Sequence, residues 1–267
     1  MFKSLNGGAS WTRSFYWTSY PQAKFKYVMD PEGITGKYPW MDHGQKSSWP
    51  DVVAIKLGHM ISGVAINPFN SDELMYGTGG TIFGTQNFTD WGDSTRPLVK
   101  IVSVAEGVEE CAILSLAVPP ITSGPGSDVK LITGAGDIGG MTHTDLHESN
   151  QMFLKPRFNR TSSIDYAELD PAKVIRVGVC SPDKYEDPVN IAISRDGGLS
   201  WNKMYSIDKS HKKGTVAVSA QGKRILWASS GKIPLCGSIE GPKESNLPAD
   251  VWVASDRVND SVFYAFR

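Results

Sequence analysis

The chain has few cysteines, almost no net charge and no long apolar run. Its 267 residues include 27 basic and 28 acidic side chains, so the formal charge is −1. This balance argues against nucleic acid as the main partner, because phosphate binding calls for a basic excess. The longest apolar run, residues 111–121, is too short to span a bilayer, so no membrane partner is expected.

The sequence also shows no disulfide or metal-binding pattern among its cysteines and no signal peptide at its N-terminus. Three widely spaced cysteines, Cys111, Cys180 and Cys236, form neither a disulfide framework nor a Cys-x-x-Cys metal site. The first residues contain no apolar segment, so we expect no signal peptide within this chain.

Glycine, proline and aromatic residues are plentiful instead. The chain has 27 glycines, 16 prolines, 8 tryptophans, 9 tyrosines and 10 phenylalanines. This composition favours many short strands joined by turns over long helices.

A repeat organises these turns. Related strand–turn–strand patterns recur, and successive turn markers are separated by 51, 52, 50 and 39 residues. The markers are Pro68, Pro119, Pro171, Gln221 and Asp260. A period of about 40–50 residues with several short strands is typical of a β-propeller blade. The sequence therefore predicts an all-β fold, an incomplete propeller of five or six blades.

We expect one partial propeller domain over residues 1–267, because the chain starts inside a motif and stops after a strand. The predicted parts are a blade remnant at 1–50 and blades at 51–105, 106–160, 161–210, 211–245 and 246–267.

Two segments fit the Asp-box pattern Ser-x-Asp-x-Gly-x-x-Trp. Residues 194–201 fit it fully, and residues 4–11 fit it with asparagine in place of aspartate. An Asx side chain bonds to the backbone of its own turn and glycine supplies a positive φ. We therefore interpret Asp196 as a folding residue rather than a reacting group.

Two further motifs are more specific. They are Gly-Asp-Ile-Gly-Gly at residues 136–140 and Gly-Val-Glu-Glu at residues 107–110. With other stretches in the same order along nearly the whole chain, they resemble glycoside hydrolase family 74, the xyloglucanases and oligoxyloglucan reducing-end-specific cellobiohydrolases. The other stretches are 57–60, 66–71, 75–84, 141–143, 163–167, 214–220 and 254–259.

The resemblance implies an inverting hydrolase that cleaves the β-1,4-glucan backbone of xyloglucan between two propellers. It assigns Asp137 as the general acid and this chain as mainly the second propeller. The other catalytic aspartate belongs to the family's first propeller, and we find no counterpart here. Inverting hydrolysis needs two carboxyl groups about 6.5–9.5 Å apart, so we expect the isolated chain to be inactive. No cofactor is implied.

Four residues are predicted to contact substrate. Gly139 and Gly140 would let backbone and sugar approach closely beside Asp137. His143 would line the cleft; a metal pair with His147 would require a helix and a third ligand, so we expect no metal. Trp40 is the predicted exposed platform for a sugar ring, within an aromatic-rich segment that could equally pack between blades.

A second hypothesis stays open at this point. The chain could be a non-catalytic polysaccharide-binding module, because one catalytic half is missing. In either case the expected partners are a plant cell-wall β-glucan and the missing first propeller, and by resemblance the protein is secreted.

Overall fold

The computed structural model describes most of the chain, and the described residues fall into two compact units, 1–110 and 111–267. The described ranges are 2–13, 27–43, 55–91, 95–108, 111–148, 150–180, 189–204 and 207–267. Within these ranges, no helix combines the length and apolar character needed to cross a membrane. The single domain predicted over 1–267 stays a prediction, because the two units are described separately.

The first unit contains one four-stranded antiparallel sheet, a two-stranded ribbon and short helices. The strands are β1 (Phe2–Lys3), β2 (Thr12–Arg13), β3 (Gly63–Asn67), β4 (Asn70–Gly77), β5 (Ile82–Thr85) and β6 (Val102–Ser103). Helix α1 spans Pro31–Lys37, and 3-10 turns span Pro39–Met41 and Phe88–Asp90. Helix α1 begins at Pro31 because the Asp30 carboxylate accepts a hydrogen bond from the Gly33 amide at 2.9 Å.

The second unit contains three four-stranded sheets and one two-stranded sheet among its described residues. In each sheet the strands lie in chain order and pair antiparallel. The strands are β7 (Ile113–Ala117), β8 (Leu131–Ala135), β9 (Gly139–His143), β10 (Gln151–Met152), β11 (Arg160–Ala167), β12 (Asp170–Val179), β13 (Ile191–Ser194), β14 (Asn202–Lys203), β15 (Thr215–Val218), β16 (Arg224–Ala228), β17 (Leu235–Ser238), β18 (Lys243–Glu244), β19 (Trp252–Ser255) and β20 (Phe263–Phe266).

The predicted turn markers fall where the first strand of each sheet gives way to the second. Pro68, Pro119, Gln221 and Asp260 lie in these connections, and Pro171 is the second residue of β12. The periodic turns are therefore confirmed. In the second unit the first strands adjoin one another, β7 against β11, β11 against β15 and β15 against β19.

The core of the second unit lies between neighbouring sheets. Val218, Ile225 and Trp227 of one sheet are buried in a cluster with Ile175 and Ile193 of the preceding sheet. Ala217, which points away from Val218 on the same strand, is buried as well. Both faces of β15 are therefore covered, as expected of a strand that lies between packed sheets.

The two segments that fit the Asp-box pattern, residues 4–11 and 194–201, make the same hydrogen bonds. The Asp196 carboxylate accepts from the Ser194 hydroxyl at 2.6 Å and from the Ser200 amide at 2.8 Å. The Ser194 hydroxyl also accepts from the Gly198 amide at 2.8 Å. In the first segment, Asn6 accepts from the Ser4 hydroxyl at 3.0 Å and from the Ser10 amide at 2.9 Å, and the Ser4 hydroxyl accepts from the Gly8 amide at 2.8 Å. The Asx side chain thus stabilises its own turn in both places.

Arg176 is fully buried in β12, inside an aromatic cage. Its guanidinium lies 4.6 Å from the ring centroid of Phe153, 4.1 Å from that of Phe158 and 4.8 Å from that of Trp201. It donates a hydrogen bond to the Pro156 carbonyl. Burial lowers its pKa to about 9, because desolvation disfavours the charged form. Trp201 is therefore part of a buried cation–π cluster.

Asp165 connects three sheets of the second unit. Its buried carboxylate accepts from the Val218 amide at 2.7 Å and lies 3.0 Å from the Arg257 guanidinium. Burial raises the pKa of Asp165, and the hydrogen bond and the ion pair oppose this effect only in part.

Candidate active site

Asp137 lies in the turn between β8 and β9, and it is exposed. Its φ is +64°, in the left-handed region that side chains other than glycine rarely adopt. The Ile138 amide donates to the Gly136 carbonyl at 2.7 Å, which closes a three-residue turn around Asp137. Positive φ in a tight turn stores strain, and such strain is concentrated at functional sites.

Backbone contacts hold this turn on both sides. The Gly136 amide donates to the Ala112 carbonyl at 2.9 Å, and Gly136 forms an antiparallel bridge with Arg160 of the next sheet. Ile138 is buried. The Asp137 carboxylate is therefore presented to solvent from a turn that is anchored before and after it, which is the arrangement a positioned acid or base requires.

The glycines after Asp137 are enclosed by neighbouring backbone and side chains. Both are buried, with φ of +82° at Gly139 and +131° at Gly140. A Cβ on Gly139 would lie 2.6 Å from the Phe158 carbonyl oxygen, and one on Gly140 would lie 2.0 Å from that of Thr133. The chain itself fills the space that a Cβ would need at both glycines, and the predicted substrate contact stays a prediction.

His143 is separated from Asp137 by the length of β9. It pairs with Leu131 at the opposite end of the hairpin, about 13 Å from Gly139 at the usual rise per strand residue. Its Nε2 lies 3.0 Å from the Thr133 hydroxyl. The structure therefore does not bring His143 to the predicted acid.

Trp40 is 3% exposed, in the 3-10 turn of the first unit. Its ring centroid lies 6.2 Å from that of Tyr38. The Trp40 indole is buried by packing and is not exposed as expected of a platform, and its contact with substrate stays a prediction. Much of the surrounding aromatic-rich segment lies outside the described residues, as do Glu109 and Glu110.

A cavity of about 400 Å³ lies where the first strands of the second unit begin. Arg160 opens β11, Thr215 opens β15 and Trp252 opens β19, and all three line this cavity. Second strands run antiparallel to first strands, so the β8–β9 turn that carries Asp137 lies on the same face. The bridge between Gly136 and Arg160 places the turn beside the cavity, with about 5 Å between bridged Cα atoms.

Sequence reasoning missed these cavity residues. Trp252 is 61% exposed, yet it stands in a short apolar strand that predicts burial. Arg160 precedes a strand and carries no motif. The exposure of Trp252 and the place of Arg160 in the cavity wall depend on how separate sheets pack together. The pattern of polar and apolar residues within one strand does not determine that packing. Among the described residues, no group of three or more histidine, cysteine or acidic side chains is arranged to hold a metal ion.

No family model matches the chain, but individual proteins do. The chain is 37% identical over 271 residues to a xyloglucanase from Paenibacillus sp., a match that covers all of this chain and 25% of that protein. It is 37% identical to a xyloglucanase from Acetivibrio thermocellus, with 100% and 30% coverage. It is 31% identical to an oligoxyloglucan-reducing end-specific xyloglucanase from Emericella nidulans, with 100% and 36% coverage.

A solved structure of the same enzyme family also matches the fold of this chain. The crystal structure of a family-74 xyloglucanase from Xanthomonas campestris matches with a TM-score of 0.71 at 26% identity, over 99% of this chain and 33% of that one. Sheet architecture and sequence therefore place the chain among the glycoside hydrolases of propeller type. The chain matches a fragment of glycoside hydrolase family 74 enzymes along its whole length, and it spans about a quarter to just over a third of the length of these relatives.

Proposed function

We propose that this chain contributes one half of the active site of an inverting hydrolase that cleaves the β-1,4-glucan backbone of xyloglucan. The observation that carries the proposal is Asp137, an exposed carboxylate on a strained, anchored turn. The names of the similar proteins support xyloglucan as the substrate.

Asp137 acts as the general acid in this proposal. It gives its proton to the leaving glycosidic oxygen while a second carboxylate removes a proton from the attacking water on the opposite face of the sugar. The second carboxylate has to stand about 6.5–9.5 Å away, which leaves room for that water. We assign it to the other propeller of the enzyme.

We further propose that the sheets are propeller blades stabilised by Asp boxes, five or six in this chain. The matching strand order of successive sheets, the adjoining first strands and the identical hydrogen bonds of the two Asx turns support this. Blades at 51–105, 106–160, 161–210, 211–245 and 246–267 would each contain one of the observed sheets, with the first residue of β11, Arg160, one position before its boundary. An extracellular location follows from a cell-wall polymer as substrate.

A segment exchange tests the proposal. The matched segment of the Paenibacillus xyloglucanase is replaced by this chain, and reducing ends released from xyloglucan are measured. Asp137→Asn is expected to lower activity about 10²–10⁴-fold, the usual contribution of general acid–base catalysis. Asp128→Asn, an exposed aspartate in the β7–β8 connection, is the matched control and should leave activity unchanged. Equal activity of the Asp137→Asn chimera and its parent would reject Asp137 as the acid.

The alternative is a non-catalytic polysaccharide-binding module. We expect little or no sugar release from the 267-residue chain by itself. This alternative predicts that the chimera binds xyloglucan and stays inactive with Asp137 intact.

A further inference from the structure

The ribbon β1–β2 has the arrangement of the last two strands of a four-stranded sheet. In residues 194–201 the Asx turn joins β13 to β14, which are the third and fourth strands of their sheet. Residues 4–11 join β1 to β2 with the same hydrogen bonds. The residues that flank the two segments pair across each ribbon, Lys3 with Thr12 and Ile193 with Asn202. The ribbon β1–β2 therefore corresponds to a third and a fourth strand.

The ribbon β19–β20 has the arrangement of the first two strands of such a sheet. Successive first strands adjoin one another in the second unit, and β19 adjoins β15 as β15 adjoins β11. β20 pairs antiparallel with β19, as every second strand pairs with its first strand. In the four-stranded sheets the second strand also pairs with a third, whereas among the described residues β20 pairs with β19 alone. The other side of β20 is therefore a sheet edge.

Both ribbons expose aromatic side chains. Trp11 stands at the motif position of Trp201, but it is 62% exposed, whereas Trp201 is 8% exposed. Phe2 of β1 and Tyr264 and Phe266 of β20 are exposed as well. The sequence of β20 is Phe-Tyr-Ala-Phe, with no charged residue and no proline. An apolar edge strand without these protections is a template for pairing with a strand of another chain.

We propose that β20 of one copy of this chain pairs with β1 of a second copy, so that two ribbons from different copies complete one four-stranded sheet. The strand order is then β19, β20, β1 and β2, which matches the first-to-fourth order of the other four-stranded sheets. Each ribbon supplies the two strands that correspond to the missing half of the other. The pairing does not depend on hydrolysis or on Asp137.

The size of the contact predicts weak association. An aromatic side chain buries about 150–250 Å², so four that are about half to two-thirds exposed offer about 400–600 Å². Hydrogen bonds between the edge strands add to this contact. Weak, transient contacts bury less than about 1,200 Å², so we expect association that depends on concentration. Because the two surfaces differ, the contact is head-to-tail, and it closes into a ring or continues into longer assemblies.

Sedimentation velocity of the 267-residue chain at increasing concentration tests the contact. The parent is expected to associate as its concentration rises. Phe2→Lys places a charge on β1, and Phe266→Lys places a charge on β20. Each is expected to raise Kd at least about tenfold, the effect usual for loss of an aromatic anchor from an interface. Leu169→Lys is the matched control, because Leu169 is an exposed apolar side chain in the β11–β12 turn. It should leave Kd unchanged.

Mixing the two edge variants tests whether the pairing is head-to-tail. The Phe2→Lys variant retains an intact β20, and the Phe266→Lys variant retains an intact β1. At concentrations near the Kd of the parent, each variant alone should stay largely monomeric, whereas an equal mixture should form a dimer with one copy of each. Regained association in the mixture also shows that both variants keep their fold. If a lysine variant melts below the parent, Phe2→Ser and Phe266→Ser take its place in the same mixture.

Three results would overturn the proposal. The first is a parent that stays monomeric at every concentration, as closure of the sheet within one chain would give. The second is a Phe2→Lys variant that associates as tightly as the parent, as pairing of β20 with a second β20 would give. The third is a mixture of folded edge variants that stays monomeric.

Discussion

Replacing Gly140 by alanine tests the assignment of this glycine to the fold. The new Cβ would lie 2.0 Å from the Thr133 carbonyl oxygen and 2.7 Å from a ring carbon of Phe153. Neither neighbour is the free end of a flexible chain, so the backbone has to move. Overpacking of this kind costs about 1–3 kcal/mol, and a φ near +131° in an L-residue costs about 1–3 kcal/mol more.

We therefore expect Gly140→Ala to lower the free energy of unfolding by about 4 kcal/mol, the middle of the combined range. In a unit of this size, that corresponds to a fall of about 8–16 °C in the thermal midpoint. Calorimetry or circular dichroism on heating measures it. The matched control is Gly136→Ala, whose Cβ would meet nothing closer than the Ala112 Cβ at 3.4 Å. It should change stability by about 1 kcal/mol at most.

A Gly140→Ala chain that melts within about 2 °C of the parent would refute this reasoning. If that chain had also lost affinity for xyloglucan, the original expectation of a sugar contact at Gly140 would be supported.

Three further predictions concern the buried polar groups of the second unit, each measured by urea denaturation. Burial raises the pKa of Asp165 above its ordinary 3.8, so the folded state holds this proton more tightly than the unfolded state. Relative to Asp165→Asn, the parent should therefore lose stability as pH rises from about 3.8 through the raised pKa. Arg176→Met should stay within about 1 kcal/mol of the parent, whereas Arg176→Ala should lose about 3 kcal/mol by leaving the aromatic cage unfilled. Asp196→Asn should cost little, because Asn6 makes the same bonds, and Asp196→Ala should cost about 1–2 kcal/mol.

Each of these predictions has a contradicting outcome. A pH-independent difference between the parent and the Asp165→Asn variant would show that the Arg257 pair fully offsets burial. A methionine at position 176 that destabilises as much as alanine would show that the positive charge, and not its volume, holds the cage. Equal losses for asparagine and alanine at position 196 would show that the turn requires a carboxylate.

Much of the local structure could be predicted because it depends on residues near one another in sequence. The turns at Pro68, Pro119, Gln221 and Asp260 follow from residues that fix φ or bond to their own backbone. Asp196 and Asn6 close five-residue turns, 196–200 and 6–10, with their own side chains. Asp137 was recognised through a five-residue motif, and its exposure on a tight turn agrees with a reacting role.

Burial and proximity between sheets were decided by the tertiary structure alone. An indole stacks equally well on a sugar or on a neighbouring blade, so Trp40 and Trp252 are indistinguishable in sequence, yet one is 3% and the other 61% exposed. The role of Gly140 depends on a carbonyl of the adjoining strand, and the nearness of Arg160 to Asp137 depends on a bridge between two sheets. The sequence determined which turns form and which carboxylate stands on one of them. Packing between sheets determined which side chains remain available to a ligand, because accessibility depends on contacts between residues that are distant along the chain.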